Sequence, residues 1–280
     1  MKCGSNPARI AREGESGRGK TKLARKTPQR ILVLDVGGTH VKMRMGSQGE
    51  VRGFASGPKL TARRMVRKVR DLTADWRYEV ISMGYPGIVF HGRITADPHN
   101  LGPGWIGFNF SKAFGRPVRI LNDAAMQAVG SYEGGRMLFL GLGTGLGATL
   151  IMDGIVEPME IGHMPYKHGR TYEDYVGERG RKRLGNRRWR KVVTRIVDQL
   201  RSVLEVDYVI LGGGNVKKLK RLPRFSRAGD NLNAFIGGER LWQLGEGTDP
   251  LVLPVASRAT TARKRATGRR TTRSRSKRRA

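Results

Sequence analysis

Two short stretches hold the residue types from which a phosphate site is built. Residues 137–154 read MLFLGLGTGLGATLIMDG: an apolar strand, the turn Gly143, Thr144, Gly145, and a second apolar strand. Residues 31–45 read ILVLDVGGTHVKMRM: an apolar strand that runs into Asp35, Gly37, Gly38 and Thr39 and resumes as alternating Val41, Met43 and Met45. Glycine lets the backbone come close to a ligand, and free N–H groups with a Thr hydroxyl can point at phosphate oxygens. The same residues also make ligand-free hairpins, so one such turn does not choose. Two strand, Gly-Thr turn, strand units in one chain point to two facing phosphate loops. A third candidate is Asn122-Asp123, between a strand over 117–121 and a helix over 124–132. Either residue suits an N-cap. A carboxylate there would also suit phosphoryl transfer to a hydroxyl, which needs a group to take the proton.

The elements that must hold these residues follow from pattern. Residues 50–55 add a third strand to the first hairpin. Thr61 then caps a helix whose Met65, Val69, Leu72 and Trp76 share one face, while Arg63, Arg64, Arg67, Lys68 and Arg70 form a solvated basic face. A strand over 78–83 ends in Gly84, Tyr85, Pro86 and Gly87, and a Gly/Pro-rich loop spans 91–110. A helix over 187–204 aligns Trp189, Val193, Ile196, Leu200 and Leu204 as a core stripe. A strand over 207–211 stops at Gly212, Gly213 and Gly214; glycines at such a strand end serve close packing as readily as ligand approach. The basic run 217–227 follows.

Charge is the compositional outlier. The 280 residues carry a formal net charge of +31. Segments 1–29 and 256–280 hold nineteen Lys/Arg against two Glu; they read as disordered basic arms, and the remaining chain is basic too. Such a surplus attracts nucleic acid, polyphosphate or anionic lipid without selecting among them. The C-terminal arm suits salt-sensitive, sequence-independent polyanion binding. The single Cys3 excludes an internal disulfide and fits a reducing cytoplasm. No stretch reaches the ~20 apolar residues of a membrane span, and the N-terminus lacks the apolar core of a secretory signal.

The ordered set DVGGTH, GYPGIV, LNDAA, GLGTGLG, EIGH and LGGG, over roughly 30–242, resembles the ROK family of bacterial sugar kinases, in particular its polyphosphate and ATP glucokinases. That resemblance implies an α/β, two-domain actin-like ATPase fold with a central cleft. The first domain would span 30–122 and the second 123–255, with 230–243 as the family's final helix, returning to the first domain. It implies phosphoryl transfer from polyphosphate or ATP to the 6-hydroxyl of glucose, with Asp123 as base. Asn122, Asp123, Glu160, His163 and Glu173 would hold the sugar, and Asn100 and Trp105 would lie near it. Asp35, Gly37, Gly38 and Thr39 would form one phosphate loop and Gly143, Thr144 and Gly145 the other, with Gly212, Gly213 and Gly214 toward the distal part of the donor. Asp35 would hold Mg²⁺ through water.

Most members of that family hold a structural zinc between the positions of His163 and Glu173, with a His and three Cys. This chain has no Cys there, so no structural zinc is expected, and His168 cannot make a site alone. His40 stands where Asn is common. Two other classes stay open: a nucleic-acid-associated sugar-binding protein without catalysis, and a polyanion-binding protein whose basic arms do the binding. A homodimer is compatible with all of these.

Overall fold

The structure, a computed structural model, describes residues 30–242 and 251–253. The basic arms expected at 1–29 and 256–280 lie outside the described residues.

Strands β1 (Ile31–Val36), β2 (His40–Met45) and β3 (Val51–Ala55) form an antiparallel meander. Helix α1 (Ala62–Leu72) crosses to β4 (Val80–Tyr85), parallel to β1. The small hairpin β5 (Val89–Phe90) and β6 (Arg93–Ile94), then α2 (Phe110–Phe114), lead to β7 (Val118–Asn122), parallel to β4. The sheet order is β3-β2-β1-β4-β7. Helix α3 (Asp123–Ser131) starts the passage to the second sheet.

There β8 (Arg136–Leu142), β9 (Leu146–Met152) and β10 (Ile155–Met159) make another antiparallel meander. After the short hairpin β11 (Pro165–Lys167) and β12 (Arg170–Thr171) come α4 (Glu173–Val176) and α5 (Glu178–Val203). Strand β13 (Tyr208–Gly212) pairs parallel with β8, and β14 (Ser226–Ala228) parallel with β13. Helix α6 (Asn233–Arg240) precedes β15 (Leu251–Val252), which adds antiparallel to β10. The order is β14-β13-β8-β9-β10-β15. Each sheet therefore contains a three-strand meander extended by two parallel strands on the far side of its first strand, and β15 adds a sixth strand to the second sheet. Each Gly-Thr turn links the first two strands of its meander.

Alternation along β1 sorts its side chains between two cores. Leu32, Leu34 and Val36 pack with Met65 and Val69 of α1, while Ile31 and Val33 pack with Met126 of α3 and Phe235 of α6. The last helix thus returns to the first sheet, as expected. Ser82 Oγ donates to the Gly238 carbonyl (2.5 Å), and Trp242 Nε1 donates to Ser82 Oγ (2.8 Å). Helices α3 and α6 cross where Gly130 and Gly237 meet; a Cβ on either would strike the other helix's backbone. In the second sheet, Leu138 and Leu140 face the stripe Trp189, Val193, Ile196 and Leu200, while Met137 and Phe139 face Ala128 and Val129 of α3.

Three local expectations change. Thr61 caps α1 as expected, accepting from the Arg64 N–H, but α1 stops at Leu72: the Thr73 backbone leaves the helical range (φ −117°, ψ 19°) while its N–H and Oγ1 still donate to the Val69 carbonyl. Leu72 is therefore exposed (37%), and Trp76 lies beyond the helix, half-buried beneath the Arg52 guanidinium at 4.4 Å. The helix expected over 187–204 is the later part of a longer α5 that begins at Glu178, with Gly185 at φ 70° marking a break. Helix α6 is shorter than the 230–243 expected.

Candidate active site

Asp35 ends β1 beside the first Gly-Thr turn. Burial pushes its carboxyl up to about 6 against the pull of Lys42, its register partner across the hairpin. The turn is tight. The Gly37 N–H donates to the His40 carbonyl (2.9 Å), Ser56 Oγ donates to the Gly37 carbonyl (2.7 Å), and a Cβ on Gly38 would stand 3.1 Å from Asn100 Cβ. The 91–110 loop thus reaches the first Gly-Thr turn through Asn100. His40 Nδ1 lies 3.4 Å from Thr39 Oγ1.

Asn122 and Asp123 divide their work at the junction of β7 and α3. Asn122 caps the helix: its Oδ1 accepts from the Ala125 N–H (3.1 Å) and its Nδ2 donates to the Gly87 carbonyl (3.0 Å), which ties the cap to the GYPG turn. One amide hydrogen of Asn122 remains for a ligand. Asp123 Oδ1 accepts from the Ala124 N–H (2.8 Å), which stabilises the ionised form. Burial outweighs that bond, and the nearby Asp35 and Glu160 charges add to it, so the Asp123 carboxyl is pushed up to about 7. Carboxylates from β1, from α3 and from the segment after β10 therefore act on one space.

The second Gly-Thr turn is braced from two sides. The Glu178 N–H, at the start of α5, donates to the Gly143 and Thr144 carbonyls (both 3.1 Å), and a Cβ on Gly145 would collide with the Glu173 carboxylate. From β13, the Asn215 N–H donates to the Leu142 carbonyl and Asn215 Nδ2 to the Gly143 carbonyl (both 3.0 Å). Within the LGGG turn, Gly212 packs on the Phe139 ring and Gly213, at φ 84°, lies against the Leu142 backbone. These two glycines serve packing. Gly143 and Gly214 border open space.

The remaining sugar candidates lie around this centre. Glu160 and His163 flank the 3₁₀ turn Ile161–His163, Oε2 to Nδ1 3.6 Å apart and both about half exposed. Glu173 opens α4 against the second loop. Trp105, expected near the sugar, is fully buried against Tyr85 and Phe110, its Nε1 donating to the Gly102 carbonyl. His168 is exposed in the β11–β12 turn, and no group of three His, Cys, Asp or Glu that could hold a metal occurs among the described residues. A 520 Å³ cavity beside β7 and β10 touches the expected sugar set only at Asn122 and Glu160 and is otherwise largely apolar. The sequence reading passed over two residues that matter here. Lys42 could have been found from the hairpin register; Asn215 had no signal beyond its place after three glycines.

Paired sheets of one topology, each with a Gly-Thr turn after its first strand, define an actin-like ATPase fold of the sugar-kinase type. Residues 31–180, more than half of the chain, match the ROK family, and the chain belongs to that family. It is similar to the polyphosphate glucokinase of Mycobacterium tuberculosis (strain CDC 1551 / Oshkosh), 29% identical over 153 residues that make up 49% of this chain and 57% of that protein. Against the polyphosphate glucokinase of Mycobacterium leprae (strain TN) the identity is 30% over 156 residues, 50% of this chain and 48% of the relative. The chain spans about half the length of the curated relatives it matches. Two solved structures share the fold. The inorganic polyphosphate/ATP-glucomannokinase of Arthrobacter sp. strain KM matches with a TM-score of 0.65 at 22% identity, covering 75% of this chain and 97% of that one. The ROK family glucokinase of Streptomyces griseus, in complex with glucose and AMPPNP, matches with 0.61 at 17%, covering 75% and 98%.

Proposed function

We propose that this chain is a sugar kinase that transfers a phosphoryl group from polyphosphate or ATP to the 6-hydroxyl of glucose. The observation that carries the reading is Asp123: a carboxyl at the end of a parallel strand, raised to about 7, in a space shared with Asp35 and Glu160. A general base works best when its pKa lies near the working pH, which burial provides here. The names of the relatives support glucose as acceptor and polyphosphate or ATP as donor. They do not favour sugar or polyanion binding without catalysis.

Residues 30–122 and 123–255 form the two sides of the cleft in this reading. Asp123 accepts the hydroxyl proton as the hydroxyl attacks. Glu160, His163, Glu173 and the free amide hydrogen of Asn122 orient the sugar. Backbone N–H groups of the two Gly-Thr turns meet the donor's phosphates from opposite sides, and closure of the halves excludes water. A magnesium ion fits the Asp35 side: a buried carboxyl at the loop, with Lys42 as its only favourable charge partner among the described residues, gains from a divalent cation, and Mg²⁺ takes one or two carboxylates with phosphate oxygens. When bound it would offset charge on the donor. A reducing cytoplasmic setting fits the single Cys3; no helix among the described residues is long and apolar enough to cross a membrane.

The test is glucose-6-phosphate formation by the purified chain with Mg²⁺, offered ATP and polyphosphate separately, with Asp123→Asn as control. Product that disappears in the variant supports the reading. No product from either donor over a panel of hexoses, with protein shown to be folded, rejects it.

A further inference from the structure

Away from the carboxylates, α1 and α2 border a groove of about 680 Å³. Arg63, Arg67 and Arg70 line one wall at i, i+4 and i+7, and Lys112 of α2 adds a fourth cation, with Asp71 the one acid in the lining. None of the four cationic groups has a hydrogen-bond or ion-pair partner among the described residues. The other basic residues of the helix midsection are engaged: Arg64 donates to the Lys59 carbonyl, and Lys68 sits over the Phe54 ring at 5.0 Å. Like charges at i, i+4 disfavour a helix. Arg63 and Arg67 accept that cost with no acid in the first turn to relieve it; a bound anion would relieve it.

We propose that this groove is a binding site for a chain of inorganic polyphosphate, distinct from the transfer site. Three arginines over seven residues of helix spread their charges along ~10 Å, at 1.5 Å per residue. That linear array suits a thin anion with a charge on every unit. A single-stranded nucleic acid needs aromatic faces for its bases. The one aromatic lining residue, Phe108, is partly buried and packed on Phe110 with ring centroids 4.8 Å apart. The element that carries the groove is also tied to the first Gly-Thr turn: Leu60, just before α1, accepts from the Gly102 N–H, two residues after Asn100, which abuts Gly38. Binding here does not depend on turnover, so the site stands or falls separately from the kinase reading.

The test is arginine-selective modification of the full chain by a dicarbonyl reagent, read peptide by peptide by mass spectrometry, with and without long-chain inorganic polyphosphate. Arg63, Arg67 and Arg70 become protected, while Arg187 and Arg188, exposed on α5, do not. In parallel, the Arg67→Glu/Arg70→Glu variant loses about tenfold or more in polyphosphate affinity at low salt, while Arg187→Glu/Arg188→Glu, with the same charge change, loses much less. Unchanged modification in the groove overturns the proposal, as does equal protection at Arg187 and Arg188 or equal loss in both variants. Protection of the groove by a single-stranded oligonucleotide of matched phosphate number, as strong as that by polyphosphate, overturns the assignment of the ligand.

Discussion

If Asp123 is the base of a kinase, two demands meet on one carboxyl: it must be withdrawn from water to hold a pKa near 7, and it must be ionised to accept a proton. The helix start resolves part of this by giving the cap to Asn122, leaving Asp123 only the Ala124 N–H. Sequence alone could not assign the cap, since Asn and Asp suit it equally. If Asp123 is the base, Asp123→Asn lowers turnover by about 10²- to 10⁴-fold. In the unsubstituted enzyme, kcat/KM falls as pH drops through about 7, the value to which burial raises this group. A rate that stays flat from pH 8 to pH 6 would remove Asp123 from that role. Stability moves the other way. The native pKa lies above the unfolded value of ~3.9, so the stabilising effect of protonation is complete below that value and is lost as pH rises through about 7. Asp123→Asn keeps the site neutral; its melting temperature should exceed that of the parent at pH 8 and converge with it near pH 4.

At the scale of elements, the strands and Gly-Thr turns were legible because alternation and glycine are local signals. The end of α1 was not. The apolar spacing continues through Leu72 to Trp76, and only the non-helical backbone at Thr73 (φ −117°, ψ 19°) marks where the helix stops. The burial of Trp105 was also hidden, because Gly/Pro composition marks a loop but not which of its side chains turn inward. Nor did short motifs reveal that Gly212 and Gly213 serve packing. Gly213 combines φ 84° with a Cβ position under 3 Å from the Leu142 backbone, so Gly213→Ala must strain both the turn and β8. Gly237→Ala drives a methyl group into the Met126 carbonyl across the α3–α6 crossing. Each substitution should cost about 1–3 kcal/mol or more, measured by chemical unfolding, and Gly214→Ala, facing open space, should cost far less. A neutral Gly237→Ala would mean that α3 and α6 do not cross as closely as described.

At the scale of the whole molecule, one topology appears twice, and α3 and α6 couple the copies. Helix α3 packs on the second sheet; α6 packs on α3 and on β1 and β4 of the first. The two Gly-Thr turns therefore belong to different sheets but are tied to one helical pair; in the kinase reading, that arrangement lets donor binding draw the halves together. Over this lies the net charge of +31, which no single contact explains. A compact donor such as ATP meets only the cations close to the loops, because charges beyond ~8–10 Å are screened at moderate salt. A long polyphosphate meets many cations at once and releases many counterions on binding, as other polyanions do. Donor use should therefore separate with salt: between about 50 and 200 mM, kcat/KM for long-chain polyphosphate falls more than ~10-fold and that for ATP less than ~3-fold. Steady-state rates at fixed glucose and Mg²⁺ measure both. Equal salt slopes for the two donors would show that the charge surplus has no part in donor binding and would leave the basic surface to some other polyanion.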